Sequence, residues 1–579
     1  MKLIRFLAVL LCAGLLCGCE MSSFPVGNES AEPPEAVSVD MSFAENTSDM
    51  FTDRDHETEF DTKDCVHIQL SGDTASSDSS AVDIEGSIIT LTQDTSYYVT
   101  GKLNNGTIVV NPPDTAKLQI VFDGVQIHSE TSAALYILSG DKVFLTLAEG
   151  SENHLSSGER YEPIDDTDID GTIFSKQDLT INGEGKLTVD SPAGHGIVSK
   201  DDLVLTGGIY QITAASHGLS ANDSIRISGS TLTVKAGKDG IQADNDEDTE
   251  KGFVYLESGT YDIKAQGDGI SASNYLQIIG GEYKITAGGG AGASASGESM
   301  KGLKASGSMA LSGGTFHIDS ADDGVHSNTS IVVTGGEFTV STGDDGFHAD
   351  ETLSVTDGKI RVTKSYEGLE ALNISISGGD ISLYASDDGL NAAGGTDSSG
   401  FGGGFGGGDG FGGGRPGGGR PGGPGGQGGH GGGMSAGNGS ILISGGKLYV
   451  NASGDGLDAN GTLSITGGQT TVCGPTRGDT AILDYDSTGS ITGGTFIGTG
   501  ASGGMAQTFS SAGQGVLAIN VGSQAAGASI LLEDAEGSVL FSYAPELSFG
   551  LVILSAPEMT KGERYTITVG GQTKSFAAS

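Results

Sequence analysis

The chain of 579 residues contains no tryptophan and only 29 basic side chains, against 74 acidic ones. The resulting net charge of −45 disfavours direct binding to nucleic-acid phosphates or to anionic lipid headgroups. We therefore expect no nucleic-acid partner, and any anionic ligand needs a bridging cation.

Cysteine and helical periodicity are also scarce. Five cysteines in a chain of this size make no disulfide framework, and no Cys-x-x-Cys spacing is present. Beyond the first nineteen residues, no stretch shows a convincing helical period. The 99 glycines instead favour a repetitive architecture built from turns.

The first nineteen residues, "MKLIRFLAVLLCAGLLCGC", place Lys2 and Arg5 before an apolar run that ends in Leu16-Cys17-Gly18-Cys19. This pattern resembles a bacterial lipoprotein signal, which implies that Cys19 is acylated and anchors the protein on the extracellular face of the cell membrane. A plain secretory peptide is the alternative, since the apolar run is too short to span a bilayer. Residues 20–64 are acidic and poor in large apolar side chains, which predicts a disordered tether.

The motif Asp-Asp-Gly-Φ-His occurs at 322–326 and again, 22 residues later, at 344–348. Its glycine recurs along the chain, mostly at steps of about 22 residues, which is typical of a solenoid. The aligned positions are Gly171, Gly196, Gly218, Gly240, Gly269, Gly302, Gly324, Gly346, Gly368, Gly389 and Gly456.

One unit, residues 324–342, contains three short segments with the alternation expected of half-buried strands. We therefore predict an all-β fold, a parallel β-helix of about 22 residues per coil, right-handed because parallel crossovers are right-handed. The helix is expected over 65–514, with a glycine-rich loop at 394–439 and a strand-rich cap at 515–579.

The third residue after the motif glycine is almost always alanine or serine, which predicts one tightly packed interior file. The file consists of Ser199, Ala221, Ala243, Ala272, Ala305, Ser327, Ala349, Ala371, Ala392 and Ala459.

The residue before the motif glycine is mostly acidic, and equivalent residues of stacked coils lie about 4.8 Å apart. Carboxylates at that spacing repel by roughly 3 kcal/mol at an effective dielectric of 20, and Ca²⁺ relieves the repulsion because its oxygen ligands sit at comparable separations. An ordinary Asp-Gly turn without metal is the alternative. The predicted calcium ligands are Asp322, Asp323, Asp344, Asp345, Glu367, Glu370, Asp387, Asp388, Asn391, Asp455 and Asp458.

Two other sets of side chains near this column carry possible chemistry. Arg361 and Lys364 are candidate bases of a calcium-dependent polysaccharide lyase, or counter-charges on an acidic face. His326 and His348 also repeat at 22 residues, but no third nitrogen or sulfur ligand recurs, so we expect them to face solvent.

The order of "LTLAEGSENHLSSG", "SKQDLTINGEGKLTV", "KDDLVLTGG", "SYEGLEALNISISGG" and "SDDGLNAAGG" resembles the carbohydrate-binding-domain family of bacterial β-helix lipoproteins, similar in shape to pectate lyases. The resemblance implies a polysaccharide partner, an acidic plant cell-wall glycan such as polygalacturonate, and calcium between coils. The side chains that match the family motifs are the acids Glu367, Glu370, Asp387 and Asp388 and the amide Asn391. A lyase and a purely structural adhesin are the alternative functions.

Overall fold

The structure, a computed structural model, describes residues 21–27, 37–45, 47–162, 167–294, 298–393 and 438–579. In these ranges the fold is all-β, as predicted, apart from an α-helical turn at Ser42–Glu45 and a 3₁₀ turn at Asp53–His56. No helix in the described ranges is both long and apolar enough to cross a bilayer. The lipidation site predicted at Cys19 and most of the glycine-rich loop predicted at 394–439 lie outside the described residues.

Parallel strands stack into three faces, here called face 1, face 2 and face 3 in the order in which one coil visits them. Face 1 consists of Ile88–Leu91, Thr107–Val110, Leu135–Ile137, Gly171–Ser175, His195–Ser199, Leu219–Ala221, Ile241–Ala243, Ile270–Ala272, Leu303–Ala305, Val325–Ser327, Leu390–Ala392, Leu457–Ala459 and Leu483–Tyr485. Face 2 consists of Lys142–Leu147, Ser224–Ser228, Phe253–Leu256, Leu276–Ile278, Met309–Leu311, Ser330–Val333, Gly439–Ile443, Gly461–Ile465, Thr488–Ile491 and Ser511–Ala512.

Face 3 consists of Glu152–Ser157, Ser230–Ala236, Gly259–Ala265, Glu282–Ala287, Thr315–Ser320, Glu337–Thr342, Lys359–Ser365, Asp380–Ala385, Lys447–Ala452, Gln469–Cys473 and Thr495–Gly500. Longer strands turn a corner, joining faces 2 and 3 at Val66–Gly72, Ser96–Leu103, Lys117–Ser129, Asp178–Ser191 and Asp202–Ala214, and faces 1 and 2 at Phe347–Val355 and Leu369–Ile376. The strands thus stack as a parallel solenoid. The right-handedness of the solenoid stays a prediction.

The register of the central coils follows the spacing of the sequence motif. Val325 lies opposite Phe347, and Phe347 lies opposite Leu369, so partners are 22 positions apart. The alanine and serine file is confirmed, because Ser327, Ala349 and their equivalents pair in register and are buried.

Large side chains fill the interior beneath face 3. The rings of Tyr283, Phe316 and Phe338 stack at 4.6 and 4.4 Å between centroids and are buried. Such ring pairs add about 0.5–1.5 kcal/mol each beyond the burial of their area. The strict register of the coils therefore aligns one aromatic column inside the solenoid.

The last coil is closed by antiparallel structure. Val516–Gln524 pairs with Phe549–Ser555, which also pairs with the final face-3 strand, Thr495–Gly500. A separate antiparallel sheet follows, with strands Ile530–Glu533, Val539–Tyr543, Arg564–Val569 and Gln572–Ala577. The first coil carries short antiparallel strands at Ala75–Ser76 and Val82–Glu85.

The segment predicted as a free tether makes defined contacts wherever the structure describes it. Ser22–Ser23 pairs with the cap strand Val516–Gln524. Further along, residues 41–45 and 47–57 lie against the outer side of face 2, where Asp55 accepts an ion pair from Lys142 at 2.8 Å. We call residues 21–27 the staple, and we call the described residues 41–45 and 47–57 the spine. The contacts of the spine use buried polar groups of face 2, such as Thr180 and Asn182, which the acidic composition of the segment does not reveal.

Candidate metal centre

The candidate site lies at the corner between face 3 and face 1, where the motif glycine brings successive coils together. A Cβ placed on Gly346 would lie 2.5 Å from the carbonyl oxygen of Gly368, closer than real Cβ contacts. Only glycine allows this approach. The side chains that precede the glycines consequently form one vertical column.

Most aspartates and histidines in the column share one structural task. The Oδ1 atom of Asp323 accepts the backbone N–H of Asp345 at 3.1 Å, and Asp345 accepts the N–H of Glu367 at 3.0 Å. The Nδ1 atom of His195 accepts the N–H of His217 at 3.3 Å in the same way. We call this arrangement the acceptor ladder. It explains why neutral histidine can replace aspartate in the column.

A second file lies beside the ladder, two residues after each motif glycine. Its early members, Val198, Ser220, Gln242 and Ser271, are neutral, the next members are basic, and the last are acidic or neutral. In register order from the first basic residue, the file is Lys304, His326, His348, Glu370, Asn391, Asp458 and Asp484.

The first carboxylate cluster, formed by Asp322, Asp323 and Asp344, already contains a cation. The Nζ atom of Lys301 lies 2.6 Å from Asp323 Oδ2 and 3.0 Å from Asp322 Oδ2. Burial alone would raise the pKa of Asp323, but the Lys301 ammonium and His326 hold it well below its usual range. Lys301 therefore compensates the charge that the sequence assigned to calcium.

The second cluster, formed by Asp345, His348 and Glu370, contains an imidazolium. His348 Nδ1 lies 2.6 Å from Glu370 Oε2 and 3.4 Å from Asp345 Oδ2. Burial lowers the pKa of His348, but its hydrogen bonds to Asp345 and Glu370 outweigh burial and raise it to about 12. His348 is thus a charged partner of these carboxylates at neutral pH.

The expectation that the repeated histidines face solvent is wrong. His326 is 8 % exposed and His348 is 1 % exposed, and their rings stack 4.8 Å apart. His326 Nδ1 contacts Asp323 Oδ2 at 2.7 Å. A basic residue in register with an acidic column was the available signal, because burying the acids requires a nearby counter-charge.

The third cluster, formed by Asp388, Asp455 and Asp458, differs from the first two. Its carboxylate oxygens lie within 4.8 Å of one another, and no ion pair to any of them occurs among the described residues. Burial, followed by repulsion from Asp455, raises the pKa of Asp388 to about 8, and burial raises that of Asp458 to about 7. Without a bound cation, these two carboxyl groups therefore hold their protons to a higher pH than an exposed aspartate does.

Two buried oxygens without a hydrogen-bond partner among the described residues lie beside the third cluster. Asn391 belongs to the coil of Asp388, and Glu367 belongs to the coil before it. The two atoms are Glu367 Oε2 and Asn391 Oδ1, although Asn391 Nδ2 donates to Glu367 Oε1 at 3.0 Å. Burial, followed by repulsion from Asp345, Glu370 and Asp388, raises the pKa of Glu367 to about 11. An unpaired buried oxygen costs about 1–3 kcal/mol, so these atoms favour a ligand.

Gly454 allows the next coil to approach the carboxylates of Asp387 and Asp388 closely. A Cβ at this position would lie 2.3 Å from Asp388 Oδ1 and 2.5 Å from Asp387 Oδ1. Asp387 also accepts the Tyr366 hydroxyl, a hydrogen bond that raises the pKa of Tyr366. The carboxylate oxygens of the third cluster lie within 4.8 Å of one another. Carboxylate and amide oxygens are hard ligands, and oxygens at this separation fit around Ca²⁺, whose ligands lie at 2.3–2.6 Å from the ion.

The two candidate lyase bases make other contacts. Lys364 Nζ donates to the carbonyl oxygen of Ala291, and the Arg361 guanidinium lies 5.9 Å from the centre of the Tyr384 ring. Both side chains thus have partners outside the three carboxylate clusters.

Comparisons with known proteins agree with the motifs. The model of the family described as "carbohydrate-binding domain-containing protein" matches residues 85–346. A protein of Acetivibrio thermocellus with the same description is 37% identical over 128 residues, which are 22% of this chain and 45% of the relative. The chain thus matches less than half of that relative's length. The family resemblance of the sequence motifs is confirmed over the matched residues.

One solved structure is also similar, titled as the polysaccharide lyase-like protein from C. thermocellum, gadolinium derivative. It is 34% identical, and the match covers 39% of this chain and 92% of the other, with a TM-score of 0.38. The family match ends at residue 346, before the third cluster.

Proposed function

We propose that the protein is a lipid-anchored surface protein that binds acidic polysaccharide through calcium held by the third cluster. The carbohydrate-binding description of the matched family supports the ligand class. The observation that supports the metal is the contrast between clusters: Lys301 and His348 lie against the first two, whereas Asp388, Asp455 and Asp458 have no such basic partner among the described residues.

The ligand set of the proposed site follows from the same geometry. Asp388, Asp455 and Asp458 supply carboxylates, and the unpartnered oxygens of Glu367 and Asn391 extend the set toward the preceding coil. Calcium takes six to eight oxygens, so a partly exposed set leaves positions for ligand oxygens. The three aspartates are each only partly buried, which gives a sugar carboxylate access to the ion.

A bridging cation also resolves the electrostatic conflict between protein and ligand. A chain with net charge −45 repels polyuronate, whereas a calcium ion between two carboxylate sets attracts both. Several such contacts along an extended polymer add by avidity. The ligand we propose is therefore a polymer such as polygalacturonate rather than a single sugar.

The test is retention of the protein on immobilised polygalacturonate, with calcium and with chelator. We expect retention in calcium, loss in chelator, and loss for the double variant Asp388→Asn, Asp458→Asn. Asp380→Asn is the matched control, because Asp380 is an exposed aspartate on face 3 of a neighbouring coil. Equal retention of the double variant and the control would remove the third cluster from the proposal.

The same incubation separates binding from catalysis. A calcium-dependent lyase releases unsaturated uronide, which absorbs in the ultraviolet, whereas a binding protein leaves the polymer intact. We expect no absorbance increase, because Lys364 and Arg361 are engaged with Ala291 and Tyr384.

A further inference from the structure

We infer that the C-terminal cap is the membrane-proximal end of the solenoid, so that a lipid on Cys19 holds the first coil far from the bilayer. This inference rests on the lipid anchor included in the proposed function. It concerns the orientation of the molecule, which the anchor alone leaves open.

The staple fixes the start of the described chain into the cap. Met21 is 3 % exposed and belongs to the apolar cluster of the cap, packed with Ile519, Leu532 and Val569. Its carbonyl oxygen accepts a hydrogen bond from Lys574 Nζ at 2.7 Å. The Met21 side chain is thus buried in the cap, and the Met21 carbonyl oxygen is hydrogen-bonded there.

The next residues continue this attachment. The N–H of Phe24 donates to the carbonyl of Ala518 at 2.7 Å, and the N–H of Gly27 donates to Phe509 at 3.0 Å. A Cβ on Gly27 would lie 2.3 Å from the Ser510 carbonyl oxygen, so the chain is pressed against the last coils. The staple is therefore a strand added to the cap rather than the start of a free linker.

Covalent geometry then limits the distance between lipid and cap. One residue, Glu20, separates Cys19 from Met21, and an extended chain spans at most about 7 Å between the Cα atoms of those two residues. A free linker of the composition and length of residues 20–64 would instead span roughly 35–40 Å. The staple removes that freedom and keeps the acylated residue beside the cap.

The other end of the molecule lies far away. From Val66–Gly72 to Thr495–Gly500 the stacked strands, at about 4.8 Å each, extend over roughly 70 Å. The spine runs back along face 2 between these ends, with the Met50 carbonyl accepting from Arg226 Nη1 at 3.1 Å. The chain thus starts at the cap and begins its first coil at the opposite end.

The orientation places the proposed metal centre near the membrane. Asp455 and Asp458 follow the face-3 strand Lys447–Ala452, and only two more face-3 strands separate that strand from the cap. This separation is roughly 10–15 Å at about 4.8 Å per strand. A polymer bound by the third cluster would therefore lie close to the cell surface, with the compensated coils projecting outward.

The experiment is energy transfer from labelled full-length, acylated protein to a lipid-borne acceptor in vesicles of phosphatidylcholine and phosphatidylglycerol. Labels are placed at Val539→Cys in the cap and at Asp73→Cys in the first coil, both exposed, in a Cys65→Ser background that removes the half-buried thiol. We expect efficient transfer from position 539 and several-fold weaker transfer from position 73. Equal transfer, or stronger transfer from position 73, overturns the inference.

Two further variants separate the possible failures. Cys19→Ser should abolish vesicle binding; if it binds as the parent does, the anchor fails and the orientation falls with it, whereas an anchored protein without a transfer gradient overturns the orientation alone. The cysteine pair Ser22→Cys, Asn520→Cys, opposite each other in the staple, should form a disulfide in the folded protein. Its absence under oxidising conditions would contradict the staple geometry independently of any membrane.

Discussion

At the residue scale, the side chains before the motif glycines mainly accept hydrogen bonds from the backbone, and ion pairing is their second role. One side-chain atom accepts the N–H of the next coil, as between Asp323 and Asp345, and the remaining oxygen faces a cation. Where lysine or histidine supplies that cation, the protein compensates its own carboxylates. Where neither lies among the described residues, at Asp388 and Asp455, we propose that an external ion takes this role.

Removal of the internal cation at the first cluster should be costly. Lys301→Gln leaves buried Asp323 with His326 as its remaining basic partner, and breaking a buried ion pair costs about 3–5 kcal/mol of unfolding free energy. Denaturant unfolding in chelator measures this loss. Lys359→Gln is the control, because the Lys359–Glu337 pair is exposed and screened by solvent, so its removal should change the unfolding free energy much less. Similar losses for the two variants would contradict the role of Lys301.

The same variant should gain a calcium site. Without the ammonium, Asp322, Asp323 and Asp344 form an uncompensated set of oxygens, so calcium should restore much of the stability lost by Lys301→Gln. Titration calorimetry should report more bound calcium per chain than in the parent protein. An unchanged stoichiometry would show that compensation by Lys301 is not what excludes the metal.

The acceptor ladder also predicts a pH dependence. Burial lowers the pKa of His195 from its ordinary value of 6.5 to about 4, and only the neutral ring accepts the N–H of His217. Between pH 6.5 and pH 4 the unfolded chain therefore binds more protons at this position than the folded chain. The contribution of neutral His195, at most about 3 kcal/mol, is present above pH 6.5 and is lost as the pH falls toward 4.

Melting temperatures between pH 7 and pH 4 measure this effect. His195→Asn keeps an acceptor oxygen that does not titrate, so we expect its melting temperature to fall less on acidification than that of the parent. His154→Asn is the control, since His154 is about half exposed and pairs with Asp190 at the surface. If the melting temperatures of the two variants fall equally on acidification, the result would argue against the acceptor ladder.

At the element scale, the strands are short, and their stability comes from register rather than from length. Phe338 shows this, with its ring stacked on Phe316 in the preceding coil and in edge contact with Phe347. Much of the repeat was predictable from sequence, because a turn glycine and a small interior residue recur once in every coil. The burial of His326 and His348 was missed, although their register beside an acidic column, whose burial needs a counter-charge, was a signal for it.

Interruption of the aromatic column should destabilise the central coils. Phe338→Ala removes a fully buried ring, for which we expect a loss of about 3–5 kcal/mol in unfolding free energy. Ile209→Ala is the control, because Ile209 is 47 % exposed and its truncation leaves no cavity. Hydrogen exchange should locate the loss in the neighbouring coils, whereas a uniform change over the described chain would contradict a nearest-neighbour solenoid.

At the scale of the whole molecule, charge is graded along the axis. Basic partners such as Lys301 and Lys304 compensate the middle coils, and the uncompensated acids gather between Glu367 and Asp484, toward the cap. The composition predicted an acidic solenoid but not this gradient, because it depends on which residues fall in register. The spine escaped prediction for a similar reason: its contacts use backbone carbonyls such as that of Met50, which leave no pattern in the sequence.

Anomalous diffraction from crystals grown in calcium tests the central claim most directly. We predict a calcium peak among the carboxylate oxygens of Asp388, Asp455 and Asp458, with metal–oxygen distances of about 2.3–2.6 Å. No peak is expected where Lys301 contacts Asp323. A peak at the Lys301 position, or an empty third cluster at saturating calcium, would contradict the account.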